Sequence, residues 1–146
     1  MLEYEPLSSY PFILVCPRDH ELVGRRSIRL RDLVRYPLLL PVKSGNSRNK
    51  IDRVFDDHGL LDRMNVALGT RSNSAVLTDF LKAGLGIAIK TDSPSSRKKQ
   101  EFCVRSLSRL FGVERILMAR KRGINELSHV TAFHDIIVRS LKDRKH

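Results

Sequence analysis

Pro37, Leu38, Leu39, Leu40 and Pro41 run directly into Val42, Lys43, Ser44, Gly45, Asn46, Ser47 and Arg48, and this succession constrains the fold more than any other stretch of the chain. Three consecutive leucines between prolines suit a short strand covered on both faces, because a strand wetted on one side alternates apolar with polar residues. Small polar residues follow at once, and Ser44, Asn46 or Ser47 can cap a helix by accepting from its unpaired N–H groups. A helix that starts at the carboxyl end of such a strand presents free donors and a partial positive charge, which suits a carboxylate or another anion. An ordinary strand-to-helix turn uses the same residue types, so the pattern alone marks a candidate site.

The rest of the chain alternates in the same way. Phe12, Ile13, Leu14 and Val15 predict a strand over 10–16, closed by Pro17. A short helix is predicted over 27–35 and a longer one over 48–58, where Ile51, Val54 and Phe55 recur at helical spacing before Gly59 stops it. A third strand is expected over 66–68. Asn73 or Ser74 then caps a helix with the stripe Val76, Leu77, Phe80 and Leu81, which ends at Gly84 and turns into a fourth strand. Residues 91–100 read as an exposed connection, 102–107 and 114–119 as strands, and the tail from Asn125 or Ser128 as an amphipathic helix through Val130, Phe133, Ile137 and Leu141. Alternation of strand and helix predicts an α/β fold around a mostly parallel sheet with helices on both faces. Loops after successive parallel strands then converge on one rim. Two of them carry suitable chemistry: 42–47, and the stretch Thr70, Arg71, Ser72, Asn73 and Ser74. Hydroxyls and amides from both can meet one bound molecule, with Arg71 pairing its negative charge.

Composition narrows the function classes. A chain of 146 residues with 41% hydrophobic content can bury a core. No apolar run is long enough to cross a bilayer, and the first residues lack the layout of a signal peptide, so a cytoplasmic protein without membrane contact is expected. Cys16 and Cys103 both fall in apolar strand-like runs, which predicts buried free thiols rather than a disulfide. No Cys/His spacing suits zinc, His129 and His134 are five apart and do not share a helix face, and no cofactor motif is present, so neither metal nor cofactor is expected. The formal charge of +11 keeps a basic nucleic-acid-binding protein open as an alternative. Its Arg and Lys residues are scattered without interleaved aromatics that could stack on bases. A small α/β enzyme is the other alternative. Cys16 with His20 lacks a third, orienting group, and converging hydroxyls without an adjacent base describe binding better than catalysis.

Taken in order, Tyr10-Pro-Phe-Ile-Leu-Val-Cys-Pro-Arg-Asp-His20, Ile28-Arg-Leu-Arg-Asp-Leu33, Pro37-Leu-Leu-Leu40, Ser44-Gly-Asn-Ser-Arg48, Leu81-Lys-Ala-Gly-Leu-Gly-Ile-Ala-Ile89 and the late run from Arg120 to Phe133 resemble the effector-binding domain of LysR-type transcriptional regulators over nearly the whole chain. The family favours His-Pro-Leu-Ala where this chain has His20-Glu-Leu-Val23, a departure away from the expected site. The resemblance implies a periplasmic-binding-protein-type (type 2) fold, in which two α/β lobes joined by two crossings hold a small effector between them. Residues 1–11 then correspond to a crossing from a first lobe, 12–92 to a Rossmann-like second lobe, 93–113 to a connection and return crossing, and 114–146 to a strand and helix completing the first lobe. By the same resemblance the effector contacts fall on Pro41, Val42, Ser44, Gly45, Asn46 and Ser47, with Ser72 and Asn73 from the second loop. The implied protein is not an enzyme but a truncated or excised regulatory domain sensing a small anionic metabolite to control transcription. Its DNA contact is made through a helix-turn-helix outside this chain, and homo-oligomers are expected.

Overall fold

The computed structural model describes residues 1–71, 75–93, 101–123 and 128–143. The chain divides into two units, Pro11–Glu114 and a smaller one made of Met1–Tyr10 with Arg115–His146, so it passes from one to the other twice. Strands are β1 (Leu2–Pro17), β2 (Pro37–Pro41), β3 (Asn65–Thr70), β4 (Ile87–Thr91), β5 (Phe102–Ser106) and β6 (Val113–Lys121); helices are α1 (Leu30–Leu33), α2 (Asn46–Asp57), α3 (Ala75–Lys82), α4 (Ser108–Phe111) and α5 (Ser128–Asp143).

In the larger unit the strand order is β3-β2-β4-β1-β5. β2 is parallel to β3 and to β4, as the alternation predicts, but β1 is antiparallel to both β4 and β5. The sheet is therefore mixed rather than mostly parallel. The reason lies in the connection from β1 to β2, whose only α-helix is the four-residue α1. At about 1.5 Å per residue it is far too short to carry the chain back along a strand, so β2 starts near the end where β1 finishes. The 12-residue α2 and 8-residue α3 are true crossovers.

Alternate residues of the central strands feed two separate cores. Phe12, Leu14, Cys16, Leu38, Leu40, Ile87 and Ile89 face Leu30, Leu33, Ile51, Phe55 and Phe111 of α1, α2 and α4. Ile13, Val15, Leu39 and Ala88 face Leu77 and Leu81 of α3 on the other side. The period-2 geometry of a strand sends neighbours to opposite faces, which is why these strands read as continuous apolar runs. Phe111 stacks at tilted angles between Phe12 and Phe55, with ring centroids 5.9 and 5.7 Å away. The helix that carries it, α4, has no counterpart in the sequence prediction.

Both expected glycine stops hold. Gly59 and Gly84 take positive φ, and behind each the chain closes with paired bonds, Leu60 N–H to the Phe55 carbonyl and Leu85 N–H to the Phe80 carbonyl. Other boundaries shift. β1 begins at Leu2 rather than at residue 10, the predicted 27–35 helix shrinks to α1, and α2 starts at Asn46. The Asn73, Ser74 and Asn125 caps lie outside the described residues.

In the smaller unit β6 pairs with β1, Arg122 N–H donates to the Met1 carbonyl, and Arg120 and Arg122 pair with Glu3. His134 of α5 meets Glu5 of β1 at 2.9 Å, and hydrogen bonds that its ring donates to Glu5, and then to Asp135, raise its pKa above the usual histidine value. The predicted apolar face of α5 is only partly covered: Val130, Ile137 and Leu141 are half-buried, whereas Phe133 is 64% exposed.

Gly86 stands where β4 approaches β2, and an added Cβ would lie 2.6 Å from the Pro37 carbonyl oxygen. Gly86→Ala should lower the urea midpoint by the equivalent of about 1–3 kcal/mol, whereas Gly24→Ala, with nothing within 4 Å, should leave it unchanged. Equal midpoints would refute the close approach.

Candidate functional site

β2 and β3 end side by side, with Leu40 opposite Gly69 and Pro41 opposite Thr70. The two polar loops singled out in the sequence therefore leave one rim of the sheet from adjacent strands. Pro41 is buried at the end of β2, and Val42, Lys43, Ser44 and Asn46 are exposed, with Gly45 and Ser47 half-buried. Arg71 is exposed beyond β3, while Ser72 and Asn73 lie outside the described residues.

The turn is built by backbone rather than by a capping side chain. Gly45 N–H donates to the Val42 carbonyl at 3.0 Å, and the Gly45 carbonyl accepts the first helical bond from Asn49 N–H at 3.1 Å. Gly45 itself is the N-cap of α2, in extended conformation, and no side-chain hydrogen bond caps the helix. The expectation that Ser44, Asn46 or Ser47 caps it is thus corrected. A Cβ at position 45 would lie 3.3 Å from the Val42 carbonyl oxygen, so the tight turn favours the residue without one. The amide N–H groups of Asn46, Ser47 and Arg48 have no intrahelical acceptor, and they sit at the positive end of a three-turn helix.

Three residues of the first turns of α2 fix its position. Arg48, predicted only as the first helical residue, is 8% exposed; its guanidinium donates to the Pro41 carbonyl at 3.4 Å and to Asp52 at 2.8 Å. Ser47 donates its hydroxyl to the Glu114 carboxylate, and Lys50 donates to the Val113 carbonyl at 2.6 Å while standing over the Phe12 ring. Ser47 is therefore partly a structural residue, and Glu114 brings a carboxylate of the chain itself to the helix start. Sequence reasoning missed Arg48 and Glu114. The i,i+4 spacing of Arg48 and Asp52 was a visible signal; nothing local marks Glu114, 67 residues away. Lys90, also missed, is 7% exposed near the end of β4. The space that Lys90 shares with Pro41, Thr70 and Leu77 is packed too closely for a water molecule, so the candidate site is the open turn and not a cavity behind it.

Among the described residues away from the turn, His20, Glu21 and Tyr36 are engaged by the fold. His20 accepts from Leu22 N–H at 3.2 Å and stands edge-on to Tyr36, a structural role. Tyr36 donates to Glu21, which lowers the Glu21 carboxyl, while burial first and this bond second raise Tyr36. Burial pushes the Cys16 thiol up to about 11, the opposite of what a cysteine needs to attack a substrate as an exposed thiolate. No group of three or more metal-ligating side chains occurs among the described residues, and no described helix is long and apolar enough to cross a membrane.

A mixed sheet flanked by helices, with a polar turn at the carboxyl rim of its parallel strands, defines an α/β binding domain of the periplasmic-binding type. The cofactor-binding domain of the Cbl transcriptional regulator has this fold, with a TM-score of 0.78 at 24% identity over 99% of this chain and 63% of that one. The effector-binding domain of QuiR, solved in complex with shikimate, has a TM-score of 0.74 at 20% identity over 97% of this chain and 66% of that one. Among curated proteins, the HTH-type transcriptional regulator cbl of Klebsiella aerogenes is 24% identical over 136 residues, 89% of this chain and 42% of the relative. The chain thus spans less than half the length of that regulator. The model of the LysR substrate binding domain matches residues 1–142, and the chain belongs to that family.

Arg48→Met keeps most of the stem but removes the donor to Pro41 and the partner of Asp52. A fall in stability of about 1–3 kcal/mol is expected, with larger amide exchange rates at the end of β2 than in wild type. An unchanged urea midpoint and unchanged exchange would show that the guanidinium does not hold this rim.

Proposed function

We propose that the chain is the ligand-sensing part of a LysR-type transcriptional regulator, and that a small anionic metabolite binds at the turn over 41–47. The observation that carries this reading is the start of α2. Gly45 leaves the N–H groups of Asn46, Ser47 and Arg48 without a side-chain cap, beside the end of the neighbouring parallel strand. A carboxylate or phosphate satisfies such donors and is favoured by the helix dipole. Ser44 and Asn46 supply side-chain hydrogen bonds, Pro41, Val42 and Gly45 shape the turn, and Ser72 and Asn73 add contacts from the second loop. The shikimate bound by QuiR is a small hydroxylated acid of this chemical class.

Under this reading residues 12–92 form the second lobe, 1–11 and 93–113 the crossings, and 114–146 part of the first lobe. The effector acts by binding one arrangement of the regulator more tightly than another, since a ligand shifts an equilibrium only by its differential affinity. DNA is bound by another part of the regulator. Cytoplasmic location follows from that role.

Amide NMR of the chain, titrated with shikimate and separately with inorganic phosphate, tests the site. Saturable shifts are expected first at Asn46 and Ser47, and Ser44→Ala or Asn46→Ala should weaken binding about tenfold or more, the worth of a hydrogen bond to a charged group. Saturable shifts confined to other regions, or affinities indifferent to both substitutions, would remove the turn from the site.

The same reading includes self-association. Leu2, Tyr4, Leu117, Phe133 and Ile136 of the smaller unit are each half or more exposed, and exposed apolar surface of this kind favours association where it is contiguous. Sedimentation velocity should show a dimer or larger species at micromolar concentration that Phe133→Glu with Ile136→Glu dissociates; a monomer before substitution would contradict it.

A further inference from the structure

Cys16 and Cys103 are the only cysteines of the chain, and the turn described above uses neither. They lie directly opposite one another where β1 and β5 pair antiparallel. Leu107 N–H donates to the Phe12 carbonyl at 2.8 Å, which sets the phase of this ladder: 12 with 107, 14 with 105 and 16 with 103 are the hydrogen-bonded rungs. Pro17, which has no N–H, falls opposite Phe102 on a rung that requires none. Residues facing each other on a bonded rung have Cα atoms about 5.5 Å apart, inside the range of roughly 4.4–6.8 Å that a disulfide spans.

The side chains agree with the backbone. Both cysteines pack on the same core face, and Cys103 is one of the neighbours that, after burial, raise the Cys16 thiol. Cys16 is fully buried, while Cys103 is only partly covered and stands on β5, the last strand in the sheet order. One thiol of the pair can meet a solute; the other waits directly behind it.

We propose that Cys16 and Cys103 form a two-electron redox site that closes to a cross-strand disulfide by exchange with a low-molecular-weight disulfide such as oxidised glutathione. Cys103, as thiolate, attacks one sulfur of the small disulfide, forming a mixed disulfide and releasing one thiolate that takes up a proton. Cys16 then attacks the Cys103 sulfur, its proton passing to the departing small thiolate, forming the intramolecular bond and expelling the second small thiol. Two protein thiols are oxidised and one small disulfide is reduced to two thiols. The free thiols expected from the sequence are thus one state of the pair. The order of attack follows from exposure and from burial, which holds the Cys16 thiol near 11, so that Cys103 reacts first.

The whole chain, incubated with oxidised glutathione and analysed intact by mass spectrometry and thiol titration, tests this. Wild type should lose two hydrogens in mass, retain no glutathione and lose both titratable thiols, with dithiothreitol restoring them. Cys16→Ser should stop at a single glutathione adduct on residue 103, and folded Cys103→Ser should remain unmodified. A wild-type product that stays as the glutathione adduct, keeps both thiols free, or forms only intermolecular disulfides would overturn the proposal. Adduct formation in folded Cys103→Ser would overturn the assigned order of attack.

Discussion

Burial of β2 and β4 on both faces is the constraint from which the rest of the larger unit follows. Leu38 and Leu40 point to one core and Leu39 to the other, and Ile87, Ile89 and Ala88 divide in the same way. A strand covered on both sides needs a helix on each face, and α2 and α3 supply them as the two crossovers flanking β3. Full burial of each such side chain contributes roughly 1.5–3 kcal/mol, so moving β2 by one residue, which exchanges the faces, loses complementarity on both sides. The position of the polar turn at the end of β2 is therefore set by packing behind it. That is how an exposed turn acquires a defined place without ordering itself.

What was readable in the sequence and what was not divides along the same line. Apolar runs, helical stripes and the stops at Gly59 and Gly84 are local, and they located β2, α2, α3 and the α/β class. The direction of β1 was not local. It depends on α1 being too short for a crossover, and nothing in the stretch predicted as a helix over 27–35 reveals that the helix proper spans only Leu30–Leu33. α4 is four residues long and carries no periodic signal, yet Phe111 joins Phe12 and Phe55 at the centre of one core.

The site shows the same division. Placement of the turn beside the end of β3 was implied by the alternation and agrees with the register of Pro41 opposite Thr70. The cap was misplaced because Ser44, Asn46 and Ser47 all favour the N-cap by type, whereas close approach to the Val42 carbonyl favours Gly45. Ser47 is then drawn to Glu114 and Lys50 to the neighbouring Val113 carbonyl. These attachments join α2 to a residue pair far away in sequence. A polar residue in a candidate binding turn can thus be fixing the turn, and chemical type alone does not separate the two roles.

The basic composition yields to the same reasoning. Arg105 donates to the carbonyls of Leu22, Val23, Arg25 and Arg26, at 2.7 to 3.3 Å, tying β5 to the segment after β1. Arg48 is buried on the Pro41 carbonyl, Lys50 lies over Phe12, Arg25 pairs with Asp32, and Arg120 and Arg122 pair with Glu3. Backbone carbonyls and carboxylates claim these six cations. A stripe that tracks phosphates needs cations projecting together from one face, and each of these is turned instead toward its own fold. A formal charge of +11 therefore overstates what is offered to a polyanion, because part of it is structural: guanidinium and ammonium groups donate to the backbone carbonyls of the segment after β1, of Pro41 and of Val113.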